Sequence, residues 1–386
     1  MEYPLTEVRR RVVLDLLGPL LGERPSIVDE EPVGHAWAPV TRVTFDREIP
    51  GVGRTVVVKT RRVEGEGYGG PPHLRRELAG LQIAGATNVT PRLIASDASA
   101  GVVIAADLGR WPTLESVLLG DDAEAAAAAM IDLGRAVGRL HAATLGTEEL
   151  HRDVLAAVGE SDPRGSRLGH WPGVGGWREV EIAAAALGFP DAGVAADDIA
   201  VIVDRLLEPA PFGALIHLDL NPTNVLVTPE GVRLVDFEQS VFGHIGIDAS
   251  FLHYPFPNYS PHWAIVPAEI VTDADRAYRR ELAQELPAGA FAGYDEMLAI
   301  GAAAALAVRV QRLAKLADPA QSVHDSWRRR AQLVQQIRVF DRLAATAGCL
   351  PTLATWFTEL ADAMSDRWPD ATTPPPPLFP AFCSMR

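Results

Sequence analysis

His217-Leu-Asp219-Leu-Asn221-Pro-Thr-Asn224 puts an imidazole, a carboxylate and two amides within eight residues, and Asp236-Phe-Glu238 follows after a short apolar run. These residue types match what phosphoryl transfer from a nucleoside triphosphate needs. A carboxylate must accept or orient the proton of an attacking hydroxyl, oxygen ligands must hold Mg²⁺ on the phosphates, and a cation must fix the phosphates in line. Asp219 suits the first task. Asn224 and Asp236 are hard oxygen donors suited to magnesium. The apolar runs Val225–Val227 and Val232–Val235, around the turn Thr228-Pro-Glu-Gly231, predict a hairpin. A hairpin folds its ends together, so two donors twelve positions apart can meet at one metal.

A candidate cation stands far upstream. Thr55-Val-Val-Val-Lys59-Thr reads as a strand ending in a lysine, a flexible point charge suited to nucleotide phosphates. Composition sharpens this reading. Lys59 and Lys315 are the only lysines among 35 basic residues, and asparagine occurs only at 88, 221, 224 and 258. Such a skew, with abundant Ala and Gly, suggests a GC-rich genome. Where a composition avoids a residue type, the remaining copies more often serve chemistry, which singles out Lys59, Asn221 and Asn224.

The pattern H-x-D-x-x-x-x-N, then a hairpin and an aspartate, resembles the catalytic core of aminoglycoside phosphotransferase-like kinases. Those share the protein-kinase fold with choline kinases and protein kinases. The resemblance implies that Asp219 is the catalytic base, that Asn224 and Asp236 are metal ligands, and that His217 anchors the loop. Protein kinases usually carry Arg between the His and the Asp; Leu218 at that place fits a small-molecule kinase better, and the family often has Gly there. An acidic residue on the next helix should pair with Lys59, a place filled by Glu77 in Arg75-Arg-Glu77-Leu. Val102-Val-Ile-Ala-Ala-Asp107-Leu-Gly109 resembles the strand and hinge that hold adenine, so Ala105 and Asp107 would supply backbone contacts. Leu133–His141 resembles the helix before the catalytic loop, and Asp248 the acidic residue that braces that loop. The likeness runs from about Ile27 to Leu252.

The elements that must position these residues are partly legible. Ile27–Val33, Thr41–Phe45, Thr55–Thr60, Pro91–Ala95 and Val102–Ala106 read as strands, with a helix over about 73–84. Val8, Val12, Leu16, Leu17 and Leu20 fit one face of an amphipathic first helix. Arg9–Arg11 before an apolar run imitates a secretory signal, but Asp15 interrupts the run and no small-residue cleavage site follows. Beyond Asp107 the texture becomes helical: 123–145, 197–207, 290–317, 326–347 and 351–367. Four consecutive prolines within Thr372–Pro380 predict an extended tail. With the resemblance, this is an α+β, bilobal protein-kinase-like fold. It has an N-lobe over 1–107 with a five-stranded antiparallel sheet, a helical C-lobe over 108–371 and a tail over 372–386.

Composition excludes other classes. At ~150 residues per domain, 386 residues suggest two domains or lobes. The charge, 35 − 50 = −15, argues against nucleic acid. Cys349 and Cys383 cannot make a disulfide framework or a four-thiolate zinc site, so a cytoplasmic setting is expected. No membrane span is expected. Gly65-Glu-Gly67-Tyr-Gly-Gly70 matches G-x-G-x-x-G, but Pro71-Pro72 follow and the next strand-end acid, Asp107, lies 37 positions past Gly70, against the ~20 of a dinucleotide fold. No P-loop signature occurs. The stretch between the first two strands, Pro32–Val40, holds one glycine, Gly34, where a phosphate-cradling loop often holds several.

Two segments are candidates for acceptor recognition: 251–263, with seven ring side chains in thirteen residues, and 159–177, with Trp171 and Trp177. Each reads equally as a packed loop. From Glu238 to Glu285 seven acids and three arginines leave a net −4, which would suit a cationic acceptor. The expected activity is transfer of the γ-phosphate of ATP, or GTP, with Mg²⁺, to a hydroxyl of a small molecule. Candidate acceptors are an aminoglycoside, an amino sugar or a choline-like amine. The competing expectation is a module of the same fold that binds nucleotide or metabolite without transfer.

Overall fold

The structure, a computed structural model, describes residues 5–21, 25–33, 39–61, 70–159, 176–255, 263–317, 323–368, 371 and 377–385. Most of the G-x-G-x-x-G segment and of the stretch between the first two strands lies outside the described residues, as do 160–175 and 256–262. The chain forms two compact units. One comprises 1–111, 149–163 and 233–241, the other 112–148, 164–232 and 242–386.

The first unit is built on one five-stranded sheet of β1 (Ile27–Pro32), β2 (Val40–Ile49), β3 (Gly53–Thr60), β4 (Leu93–Asp97) and β5 (Val102–Ala106). The order β1-β2-β3-β5-β4 puts β3 in the centre, and every neighbouring pair is antiparallel. Alternation along β3 sends Val56 and Val58 into a core with Val43, Phe45, Val102 and Ile104. Helix α1 (Glu7–Leu21) closes that core with Val13 and Leu17, one helical turn apart. The helix exists as the hydrophobic spacing predicts, but its buried face is rotated: Val8 is 72% and Leu20 46% exposed.

Helix α2 (Pro71–Ala84) starts two residues earlier than expected, because Pro71 and Pro72 occupy the first turn, where a missing N–H breaks no helical bond. It buries Leu74, Leu78 and Leu81 along with Glu77. The distant segment 233–241 joins this unit. The Leu234 N–H donates to the Val89 carbonyl at 2.7 Å, and the 3₁₀ turn Phe237–Gln239 packs on α2. Gly80 permits that approach, since a Cβ there would lie 2.8 Å from the Phe237 Cβ and 2.4 Å from the Ser240 Oγ.

The second unit is mainly helical. Its helices include α3 (Leu114–Leu118) and α4 (Ala123–Thr144). After α5 (Glu148–Ala157), which belongs almost wholly to the first unit, come α6 (Gly176–Ala186), α7 (Ala196–Leu207), α8 (Gly246–Ser250), α9 (Ala268–Leu282) and α10 (Tyr294–Val310). The last are α11 (Leu313–Ala317), α12 (Val323–Ala347) and α13 (Pro351–Arg367). Strand β6 (Gly213–Ile216) pairs with β9 (Val241–His244), and β7 (Val225–Thr228) with β8 (Gly231–Leu234), the expected hairpin. Asp122 caps α4, its carboxylate accepting the Ala125 N–H at 2.9 Å. Helix α4 lies tightly on α9 because Gly134 and Gly138 carry no Cβ; one on Gly134 would sit 2.2 Å from the Ala274 carbonyl oxygen.

The stretch Ala290–Val310, containing α10, is long and apolar enough to cross a membrane by length and composition, and 67% of its apolar window is buried within the protein. An alanine-rich helix surrounded by partners is apolar on all sides for that reason. Residues 372–376, most of the expected extended tail, lie outside the described residues, and the segment after them is packed. Leu378 bridges to Ile265, and Phe379, Ala381 and Phe382 are fully buried, because apolar residues follow the prolines and gain more from burial than from solvent.

Candidate active site

In the first unit, β3 and α2 bring together two residues the sequence had paired. The Lys59 Nζ donates to the Glu77 Oε2 at 2.7 Å, with 11% and 4% of the two side chains exposed. The Lys59 ammonium also contacts the Asp236 carboxylate directly, 177 positions away in sequence. Asp236 sits in the left-handed backbone region, φ 70 and ψ 59, immediately before the 3₁₀ turn. That is an uncommon place for a residue other than glycine, and one that recurs at functional sites.

A second cation, absent from the sequence reading, completes this cluster. Arg61 is almost fully buried; its Nη2 pairs with Glu238 and lies 3.4 Å from the Asp236 Oδ1. A signal for it existed. Lys59 and Arg61 are two apart at the end of a strand, so both side chains leave the same face. Glu238 is buried against Arg61. Glu77, Asp236 and Glu238 each place an oxygen within 4.8 Å of the others. Three carboxylates against two cations, 2 − 3 = −1, make a donor set of hard oxygens that fits a divalent ion.

Ala105 and Asp107 lie at the end of β5 in this unit. The Asp107 side chain is turned inward, accepting from Arg42 and from the Gly109 N–H. Burial pushes its pKa up, but the Arg42 hydrogen bonds, the Gly109 N–H, Thr55 and the Arg42 charge outweigh burial and hold it below the usual carboxylate value.

In the second unit, the loop after β6 carries His217, Leu218, Asp219 and Asn221 into the 3₁₀ turn Pro222–Asn224. The Asp219 carboxylate accepts from the Asn221 amide and from the Asn224 Nδ2 at 3.2 Å; the same Nδ2 donates to the Asp219 carbonyl at 3.0 Å. This commits the nitrogen side of the Asn224 amide and leaves its carbonyl oxygen as the donor atom for a cation. Both scarce asparagines thus orient Asp219. The buried His217 accepts the Asp219 N–H on Nδ1 at 3.3 Å.

Asp248, fully buried, accepts the His217 N–H at 2.6 Å and the Leu218 N–H at 2.9 Å. Leu218 has φ 66, the region where glycine is at ease and a leucine is strained. His141 extends the network: its Nε2 is 3.4 Å from Asp248 and its Nδ1 2.8 Å from the Tyr278 hydroxyl. Tyr278 was not anticipated, since nothing local in Ala277-Tyr278-Arg279 marks it.

The described part of the aromatic segment is packed rather than open. The Tyr254 hydroxyl donates to the Ala302 carbonyl at 2.7 Å, and the Gln332 and Gln336 amides donate to the Pro255 carbonyl at 3.1 and 3.3 Å. Trp177 is buried 6.4 Å from the Phe357 ring.

The sequence model of the phosphotransferase enzyme family matches residues 42–299, about two thirds of the chain. Among solved structures, the chain is similar to a choline kinase from Cryptosporidium parvum Iowa II, with 13% identity, TM-score 0.50 and coverage of 90% of this chain and 99% of that one. It is also similar to a choline/ethanolamine kinase family protein from Mesorhizobium loti, at 16% identity, TM-score 0.46 and coverage of 86% and 92%. A macrolide 2'-phosphotransferase from Brachybacterium faecium matches at 18% identity, TM-score 0.42 and coverage of 84% and 96%. Among curated proteins none matches the sequence.

Proposed function

Since the chain belongs to the phosphotransferase enzyme family, we propose that it transfers the terminal phosphoryl group of ATP to a hydroxyl of a small molecule. Asp219 takes the proton of the acceptor hydroxyl as its oxygen attacks the terminal phosphorus. The bond from that phosphorus to the bridging oxygen breaks, and the nucleoside diphosphate leaves. Lys59, held by Glu77, fixes the phosphates, and the backbone of Ala105 and Asp107 receives the adenine. Each unit offers an oxygen donor suited to magnesium, Asp236 in the first and Asn224 in the second, and that ion when bound would neutralise phosphate charge. Asn221 and Asn224 orient the Asp219 carboxylate, and Asp248 holds the peptide units before it.

The observation that carries this reading is the meeting of the buried Lys59 and Glu77 with the half-buried Asp236. Charges gathered away from water in this way are costly to hold, and such clusters concentrate at functional sites. Candidate acceptors are an aminoglycoside, an amino sugar or a choline-like amine. Asp219→Ala should keep nucleotide binding and lose transfer by about 10²–10⁴-fold. Asp236→Ala should lose the magnesium dependence of nucleotide binding. Aminoglycosides, amino sugars, choline-like amines and nucleosides, screened by thermal shift with a non-hydrolysable ATP analogue, identify the acceptor. Full turnover by Asp219→Ala would refute the assignment.

A further inference from the structure

One guanidinium ties strand β2 to the turn that follows β5. Arg42, on β2, is 9% exposed. Its Nε donates to the Asp107 Oδ2 at 2.7 Å and its Nη2 to the Asp107 Oδ1 at 3.0 Å, a bidentate fork across 65 positions of sequence. The same Nη2 donates to the Gly109 carbonyl at 2.9 Å, and Nη1 reaches Glu31 of β1 at 3.4 Å. The turn is closed further from within. The Gly109 N–H donates to the Asp107 Oδ1 at 2.9 Å, and the Trp111 indole N–H to the Leu108 carbonyl at 2.6 Å.

This inventory has a consequence for recognition. The Asp107 carboxylate is consumed by the protein itself, with 7% of the side chain exposed, so a ligand at the end of β5 meets main chain rather than that charge. Main-chain groups read a flat heterocycle only if their spacing and direction are held, and the residues just after a strand are otherwise free to rotate. A planar fork with two parallel bonds fixes direction as well as distance; an ammonium at the same place supplies charge without direction.

We propose that Arg42 is a positioning residue for the nucleotide: by holding Asp107 and Gly109 it sets the backbone edge that reads the base, and with it the preference between adenine and guanine. This rests on the reading above, in which the end of β5 receives the base. Among the described residues Arg42 makes no hydrogen bond to Lys59, so its effect falls on nucleotide affinity and base choice.

The test is equilibrium binding of ATP and GTP, with magnesium, to the full-length protein and to Arg42→Lys and Arg42→Met, with thermal unfolding recorded alongside. Both variants should weaken the preferred nucleotide by about tenfold or more, the loss of one well-made hydrogen bond, and move the ATP-to-GTP affinity ratio toward one. Lysine should not rescue it, and the acceptor KM at saturating nucleotide should stay at the wild-type value. Asp107→Asn, which keeps the volume and loses the carboxylate, is measured the same way and decides the matter if both arginine variants fail to fold. Wild-type affinity and base ratio in the folded variants would overturn the role of Arg42 alone. A wild-type protein that binds neither nucleotide would overturn both this role and the function it rests on.

Discussion

Asp248→Asn is a demanding test of how the loop carrying Asp219 is held. The carboxylate is fully buried and accepts two backbone N–H bonds, from His217 at 2.6 Å and Leu218 at 2.9 Å. Asparagine has nearly the same shape but one acceptor oxygen. Whichever way its amide turns, an NH₂ group faces a backbone donor. One charge-assisted bond is lost, about 1.5–3 kcal/mol, and a buried donor is left without a partner, roughly 1–3 kcal/mol more. Taking about 3 kcal/mol as the total, and about 2–4 °C per kcal/mol for a unit of this size, Tm should fall on the order of 6–12 °C. A second effect follows from Leu218, held at φ 66 by these bonds. The left-handed conformation costs a leucine about 1–2 kcal/mol, so freeing its N–H lets the residue relax and carries Asp219 with it. A displacement near 1 Å reduces turnover by about 10²-fold. Thermal unfolding and steady-state kinetics measure the two effects separately. A variant with unchanged Tm and turnover would refute the reasoning, because no other described group accepts both N–H bonds.

Three further outcomes follow from the same geometry. Leu218→Gly should be more stable than Leu218→Val by about 1–2 kcal/mol, the reverse of their hydrophobicity, because a β-branched residue strains at this φ; Tm of the two variants decides it. His244 is buried with an unpartnered Nδ1 among the described residues, and burial, with the Arg205 charge, pushes its pKa down to about 3. The unfolded chain therefore takes up a proton below about pH 6.5 that the folded one refuses, so stability falls with pH between about 6.5 and 3, by about 2 kcal/mol at pH 5. His244→Gln should flatten that slope in unfolding measured at pH 7 and 5, and an unchanged slope would contradict the assignment. A Cβ on Gly301 would lie 1.9 Å from the Gly246 carbonyl carbon and 2.4 Å from the Ile247 nitrogen, all backbone. Gly301→Ala should therefore force α10 from α8 at a cost of about 3 kcal/mol or more, and a wild-type Tm would show that the helices do not meet there.

What could be read from the amino acids alone was whatever depends on neighbours a few positions away. A short run of β-branched and apolar residues delineated β5, the run of alanines delineated α4, and turn residues placed the hairpin of β7 and β8. Lys59 and the asparagines at 221 and 224 stood out because the composition nearly excludes their types. The same composition hid Arg42 and Arg61 among many arginines. Their meaning lies in partners 65 and 177 positions away, and no local rule predicts which carboxylate a strand arginine will meet. The rotated face of α1, the buried chain end and the Tyr278–His141 contact were likewise decided by packing, since each depends on the shape of a surface assembled from distant segments. Local pattern determines which elements form and which groups they carry; tertiary contact decides which of those groups leave water together, because burial and charge pairing act through space and not along the chain.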